Sequence, residues 1–203
     1  MSITKEKNEI ILKQEAFLKD GIENKGIHIT STVPIAVYGF HSSRDTCDGY
    51  AAIPIRYIST KYIIASFTVW QHRSLSKSLI VIVSLGGNTK VQVQLKMKQG
   101  TVTFSGRKFK HGEIINVEMS AFQTLQLSHN YDLSGSLISS SKPIGVVSGN
   151  KCNSITHYRC NHFIEMILPV DQLDNEFIIP IIQTRQKVPS DCYLQEQFIL
   201  MFT

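Results

Sequence analysis

Asp132–Pro169, DLSGSLISSSKPIGVVSGNKCNSITHYRCNHFIEMILP, is the stretch on which the fold turns. Its segments Leu137–Val147 and Phe163–Leu168 combine β-branched, aromatic and small polar residues between turn signals, so both read as strands. The first of them occurs twice in the chain. Ile138-Ser139-Ser140-Ser141-Lys142-Pro143-Ile144-Gly145-Val146 repeats Ile29-Thr30-Ser31-Thr32-Val33-Pro34-Ile35-Ala36-Val37 at an offset of 109 (138 − 29). Proline cannot donate to a sheet ladder, so Pro34 and Pro143 should each mark an edge, a bend or a bulge.

The repeat extends outward on both sides. Glu9-Ile10-Ile11 and Ala16-Phe17 match Glu113-Ile114-Ile115 and Ala121-Phe122. The second copy, GEIINVEMSAFQTLQLS, alternates apolar and polar residues, which predicts strands at 113–119 and 121–128, and by correspondence in the first copy. Further strands are expected at 26–32, 35–40, 50–55, 57–70, 79–85, 90–97 and 101–105, the last ended by Gly106. Gly86-Gly87-Asn88 reads as a hairpin turn requiring positive φ. Ile53-Pro54-Ile55 then matches Leu168-Pro169-Val170 at an offset of 115 (168 − 53), so six residues have entered the second copy. They fall in the loop that carries Cys152 and Cys160. Strands at 176–183 and 198–202 complete the second copy, with Phe198-Ile199-Leu200-Met201 matching Leu79-Ile80-Val81-Ile82. No counterpart of Gly86-Gly87 follows. The fold predicted is all-β: two related antiparallel β-sandwich-like units in tandem, about 1–112 and 113–203, packed together as repeat units are; the second either takes strands from the first or belongs to a longer chain of which this is a fragment.

Composition limits the function. The chain has 203 residues, 42% of them hydrophobic and 18% charged, enough for a sizeable core. Its net charge of +5 is scattered, and the densest run, Lys96, Lys98, Arg107, Lys108 and Lys110, has no aromatic ladder, so no nucleic-acid partner is expected. No window approaches the roughly 18 apolar residues of a membrane helix. The opening MSITKEKNEIILKQEAF has charges where a signal peptide has its apolar stretch, so none is read there. No nucleophile elbow, triad order or phosphate loop is present, and no cofactor is called for. His162 and Glu165, three positions apart on a strand, should face opposite sides of the sheet, which argues against a joint acid–base role. Trp70, ending an apolar run, reads as a packing residue, and Lys142 as a charge that discourages edge pairing.

At 132–169 the sequence resembles the N-terminal domain of the IgG Fc-binding protein family. Asp132-Leu133-Ser134-Gly135-Ser136 is similar to that family's D-L-T-G-T. Lys142-Pro143-Ile144 with Val147-Ser148-Gly149 is similar to K-P-V-A-V-F-S-G, and Cys160-Asn161-His162-Phe163-Ile164-Glu165 to C-D-H-L-x-E-Q. Pro34–Tyr38 carries the family's P-I-x-V-Y. Departures are Asn161 for aspartate, Met166 for glutamine, Leu168 for the first proline of a pair, and Leu173-Asp174 for Trp-Gly. The likeness runs from about Ile10 to Pro180.

The resemblance implies a secreted, mucus-associated, non-catalytic module for binding or adhesion. Its partner would be a protein or glycoprotein, immunoglobulin or mucin-like, recognised through loops on a rigid scaffold. In an oxidised chain, Cys152 and Cys160 would pair across their polar loop and stabilise it by about 2.5 kcal/mol. The same loop offers Asn150, Lys151, Asn153, His157, Tyr158 and Arg159 as contact residues. A zinc site from Cys152, His157, Cys160 and His162 is the competing reading, but the spacing fits no zinc knuckle and the family brings no metal. Cys47 has a counterpart in Cys160 but no nearby partner, and Cys192 is the remaining candidate for it. Two other functions stay open. One is a structural building block of a mucus-like or cell-surface assembly; the other is a carbohydrate-active β-sandwich using Glu165 and Asp171.

Overall fold

The computed structural model describes residues 9–42, 47–67, 69, 76–153 and 161–178. Twelve strands are found among them: β1 (Gly21–Glu23), β2 (Tyr38–Ser42), β3 (Cys47–Ala51), β4 (Ser59–Ile63), β5 (Ser78–Ser84), β6 (Thr89–Gln94), β7 (Val102–Phe104), β8 (Arg107–Phe109), β9 (Ile114–Met119), β10 (Thr124–His129), β11 (Leu137–Asn153) and β12 (Asn161–Met166). Three single turns of 3-10 helix, at Gln14–Ala16, Ile55–Tyr57 and Val170–Gln172, are the only helical pieces of the described chain. The protein is all-β, and every strand pairing in it is antiparallel.

The alternation seen in sequence becomes the two faces of the strands. On β6, Thr89, Val91 and Val93 are buried while Lys90, Gln92 and Gln94 face solvent. On β9, Ile115, Val117 and Met119 are buried and Asn116 and Glu118 are exposed. Strand β5, SLIVIVS, lies in the middle of the sheet and is buried or half-buried along its whole length.

β11 organises the sheet. Its 17 residues would span about 56 Å if straight, too long for one flat layer of this size. It bends at Pro143, where the register against β4 shifts between Ser139 and Ile144. Before the bend, Leu137–Ser140 lies between β4 and β6; after it, Ile144–Asn150 lies beside β5, with Val147–Asn150 also paired to β12.

Two other pairs of strands bend with it. β5 and β6 are not hairpin partners: they lie end to end along β11, Ser84 opposite Ile144 and Val91 opposite Ser140. β9 and β10 run end to end along them in the same way, Met119 opposite Thr89 and Thr124 opposite Val83. Gly86-Gly87-Asn88 is therefore a corner, not the hairpin turn its sequence suggests. The expected positive φ is present at Asn88 (53°), but β11 supplies the ladder that a hairpin would have formed with itself. Three corners, at 85–88, 120–123 and 141–143, meet at the bend. Thr89 Oγ1 donates to the Gly86 carbonyl (2.7 Å) and accepts from Ser84 Oγ (3.0 Å). Lys142 Nζ caps the Gly87 carbonyl (2.5 Å), and Ser141 Oγ accepts the Lys90 N–H (2.9 Å). The Phe122 N–H donates to the Ser84 carbonyl (2.8 Å).

The curled sheet closes on one apolar core. Ile80, Ile82 and Val93 from before residue 112 pack in the same cluster as Ile115, Leu125 and Val146 from after it. The 112/113 boundary falls between β8 and β9, and β6 pairs with β9 across it. The described parts of 1–112 and 113–203 thus share a sheet and a core.

The first copy of the repeat departs from the strands expected of it. Residues 9–20 carry the 3-10 turn Gln14–Ala16 instead of a strand, with Ile10, Ile11 and Phe17 exposed. In the second copy, Ala121-Phe122 is the corner itself, Phe122 having φ 58°. Residues 24–37 make no ladder, so of the strands expected at 26–32 and 35–40 only Tyr38–Ser42 forms, and of 57–70 only Ser59–Ile63. Trp70, the strand expected at 198–202 and most of that at 176–183 lie outside the described residues; Glu176–Ile178 is unpaired.

Candidate functional site

The six-residue enlargement of the second copy sits at the far end of β11. Its base is fixed by backbone crowding: a Cβ on Gly149 would stand 1.7 Å from the Phe163 carbonyl oxygen of β12. Only glycine fits there. Beyond it, the Asn150 side chain is fully buried and acts as a bridge to another segment. Its Oδ1 accepts the Phe67 N–H (3.1 Å) and its Nδ2 donates to the Phe67 carbonyl (3.0 Å), as a neighbouring strand would. Ser66 Oγ donates to the Gly149 carbonyl (2.8 Å) alongside. Between Asn150 and Asn153 the pairing with β12 bulges. Lys151 turns outward there, while Cys152 and Asn153 are buried. Of the expected contact residues, then, Lys151 is at the surface, and Asn150 and Asn153 are inside. His157, Tyr158, Arg159 and Cys160 lie outside the described residues. Asn150 belongs to the scaffold because a buried amide needs partners, and Phe67 supplies them.

A second layer covers β12. The β2–β3 hairpin is a separate two-stranded sheet seated on it. Asp48 Oδ2 accepts the Ile164 N–H (2.7 Å), and Met166 Sδ accepts the Ile53 N–H (3.1 Å). His41 lies directly opposite Asp48 in the hairpin, and its ring meets that of His162 at 4.6 Å between centroids. Phe17 stacks obliquely on the other side of His41 at 5.4 Å. His162 Nδ1–H donates to the Lys151 carbonyl (3.1 Å), tying this cluster to the loop. Burial pushes the His162 pKa down, against the opposing pull of the Lys151 carbonyl and the Asp48 carboxylate; the nearby His41 pushes it further down. His41 Nδ1 is buried with no hydrogen-bond partner. Burial also raises the Tyr50 phenol on β3. Cys47, at the start of β3, is a free, exposed thiol.

The carboxylates weighed for hydrolysis are each occupied. Glu165, on the face of β12 opposite His162, accepts the Met166 N–H (3.0 Å), and Asp171 accepts from Ser59 Oγ (2.7 Å). Among the described residues, no group of three or more His, Cys, Asp or Glu is placed to hold a metal ion. No helix of the described residues is long and apolar enough to cross a membrane. A shallow groove of about 490 Å³, missed by the sequence reading, runs over the outer faces of β6, β9 and β11 between Gln92, Asn116 and Ser139. Its amides already bond each other, Gln92 Nε2 to Asn116 Oδ1 at 2.9 Å. The outward polar residues of β6 and β9 were the signal for it.

Fold and site together define an all-β module whose distinguishing features are a loop and the hairpin docked beside it. The family model described as IgGFc binding protein matches residues 48–197, and the chain belongs to that family. The IgGFc-binding protein of Homo sapiens is 28% identical over 159 residues, which is 78% of this chain and 3% of that protein. The chain thus spans a small part of its curated relative. No solved structure matches it.

Proposed function

We propose that the chain is a non-catalytic binding module that works outside the cell and recognises a protein or glycoprotein through the loop 149–162. Family membership carries this reading, because the relative's name describes a protein that binds IgG Fc. The exposed Lys151 at the mouth of the loop and the buried anchor of Asn150 beneath it support the assignment of the surface. In this reading Lys151, His157, Tyr158 and Arg159 make the contacts. Cys152 and Cys160 close the loop and reduce the entropy lost on binding. Asn150 and Asn153 hold its base.

The test is binding of the whole chain, immobilised, to IgG Fc and to a mucin-type glycoprotein. A folded variant with residues 153–158 replaced by glycine and serine is run beside it. The expected result is binding to one of the two and a loss of at least tenfold in the variant. Equal binding by the variant, or no binding to either probe, overturns the reading. One observation favours a second role as an assembly block: Ile10, Ile11, Phe40 and Phe177 are all largely exposed apolar side chains. Self-association that rises with concentration while both probes fail to bind is the outcome that role requires.

A further inference from the structure

We propose that the β2–β3 hairpin is an acid-released latch, held on β12 at neutral pH and let go when His162, packed against His41, takes up a proton.

The hairpin has no ladder to the main sheet. Its described attachments are the Asp48–Ile164 and Ile53–Met166 hydrogen bonds and the contact of the two imidazoles. Three titratable groups converge there. His41 and Asp48 come from opposite positions of the hairpin, so their side chains share a face. His162 comes from β12. A proton on His162 places a charged ring 4.6 Å from the His41 ring, and the Asp48 carboxylate is already engaged with the Ile164 N–H.

Among the described residues the surroundings supply little else beyond the Asn150 backbone, which also favours the charged His162 ring. β3 adds Tyr50, a phenol that burial keeps neutral, and the exposed Cys47 thiol. β11 offers the Lys151 carbonyl, which already takes the His162 Nδ1–H; the N-terminal segment adds the Phe17 ring. Glu165 lies on the other face of β12. His41 Nδ1 is buried and has no hydrogen-bond partner among the described residues.

The sign follows from burial. Unfolded histidine titrates near 6.5, and His162 in place titrates lower. Docking is therefore complete above about pH 6.5 and weakens as pH falls below it, because the released state binds more protons. Proton uptake by His162 raises the opening equilibrium by up to about tenfold per pH unit until its docked pKa is reached.

The experiment is amide hydrogen exchange on the whole chain from pH 7.5 to 5.0, read as protection factors for 38–42, 47–51 and Ile164. β6 and β9 serve as the internal reference. β10 is not used, because His129 at its end is also depressed by burial and has its own response. Protection in the hairpin should fall at least tenfold more than in β6 and β9. In His41→Gln the excess fall should be reduced, because the His162 pKa loses one of the causes that lower it, and in His162→Gln and the double variant it should be absent. Hairpin protection that tracks β6 and β9 across the range overturns the proposal. So does an undiminished excess fall in a folded double variant. If the variants do not fold, the wild-type comparison still decides.

Discussion

Gly149 and Asn150 are consecutive residues near the end of β11, and neither is there for the surface. Gly149 gives β12 room to approach, with the Phe163 carbonyl standing where a side chain would begin. Asn150 substitutes its amide for a missing strand, pairing with both backbone groups of Phe67. Gly149→Ala should cost about 3 kcal/mol or more, since a backbone carbonyl cannot swing aside as a side chain can. Urea unfolding should show a lowered midpoint with an unchanged slope; a midpoint within error of wild type means that β12 does not approach this closely. The role of Asn150 was not legible because its partner is 83 residues away and nothing periodic marks the site. The glycine could be read as a turn residue, but not as a point of contact between strands.

At the scale of elements, alternation carries most of what can be read in advance. TKVQVQ and IINVEM announce the strands β6 and β9 and the face each one buries. Ser105-Gly106 likewise becomes a two-residue turn between β7 and β8, with φ of 48° and 76°. Both values are positive, as a type I′ turn requires, and asparagine is favoured at the first position. Ser105→Asn should therefore stabilise the protein by about 0.5 kcal/mol, a rise of roughly 1–2 °C in Tm. A lower Tm in calorimetry contradicts the assigned turn. What alternation cannot supply is the partner of a strand. Gly86-Gly87-Asn88 has the chemistry of a hairpin turn, yet it serves a corner because β11, more than fifty residues later, claims both flanking strands. The 9–20 segment fails for a different reason. Its Ile10 and Ile11 match strand residues of the second copy and its Phe17 matches the corner residue Phe122, but no strand among the described residues buries them.

For the whole molecule, the repeat visible in sequence coexists with a single shared core. β5 pairs with β10 and β6 with β9, so the ladders run from one half into the other. A chain cut at 112/113 leaves each piece with one side of those ladders and part of the core. Residues 1–112 expressed alone should lack a cooperative thermal transition, and mixing with 113–203 should restore one. A sharp transition for 1–112 by itself contradicts the shared core. The family could be recognised from the motifs around Lys142-Pro143 and Cys160, and the match over 48–197 agrees with that likeness. The docking of the hairpin on β12 could not, because it rests on His41, Asp48 and His162, which lie up to 121 positions apart (162 − 41).

The bend through Pro143 has a mechanical side. β11 carries neighbours on both edges at Leu137–Ser139 and at Val147–Asn150, on either side of the bend, and its hydrogen bonds lie across its axis. Tension applied along that strand loads these bonds abreast, in shear, instead of opening them one after another like a zip. The corner at 141–143 passes the load from one half of the sheet to the other, with the Lys142–Gly87 and Ser141–Lys90 bonds as rivets. A module built this way is a stiff link in whatever longer chain pulls on it.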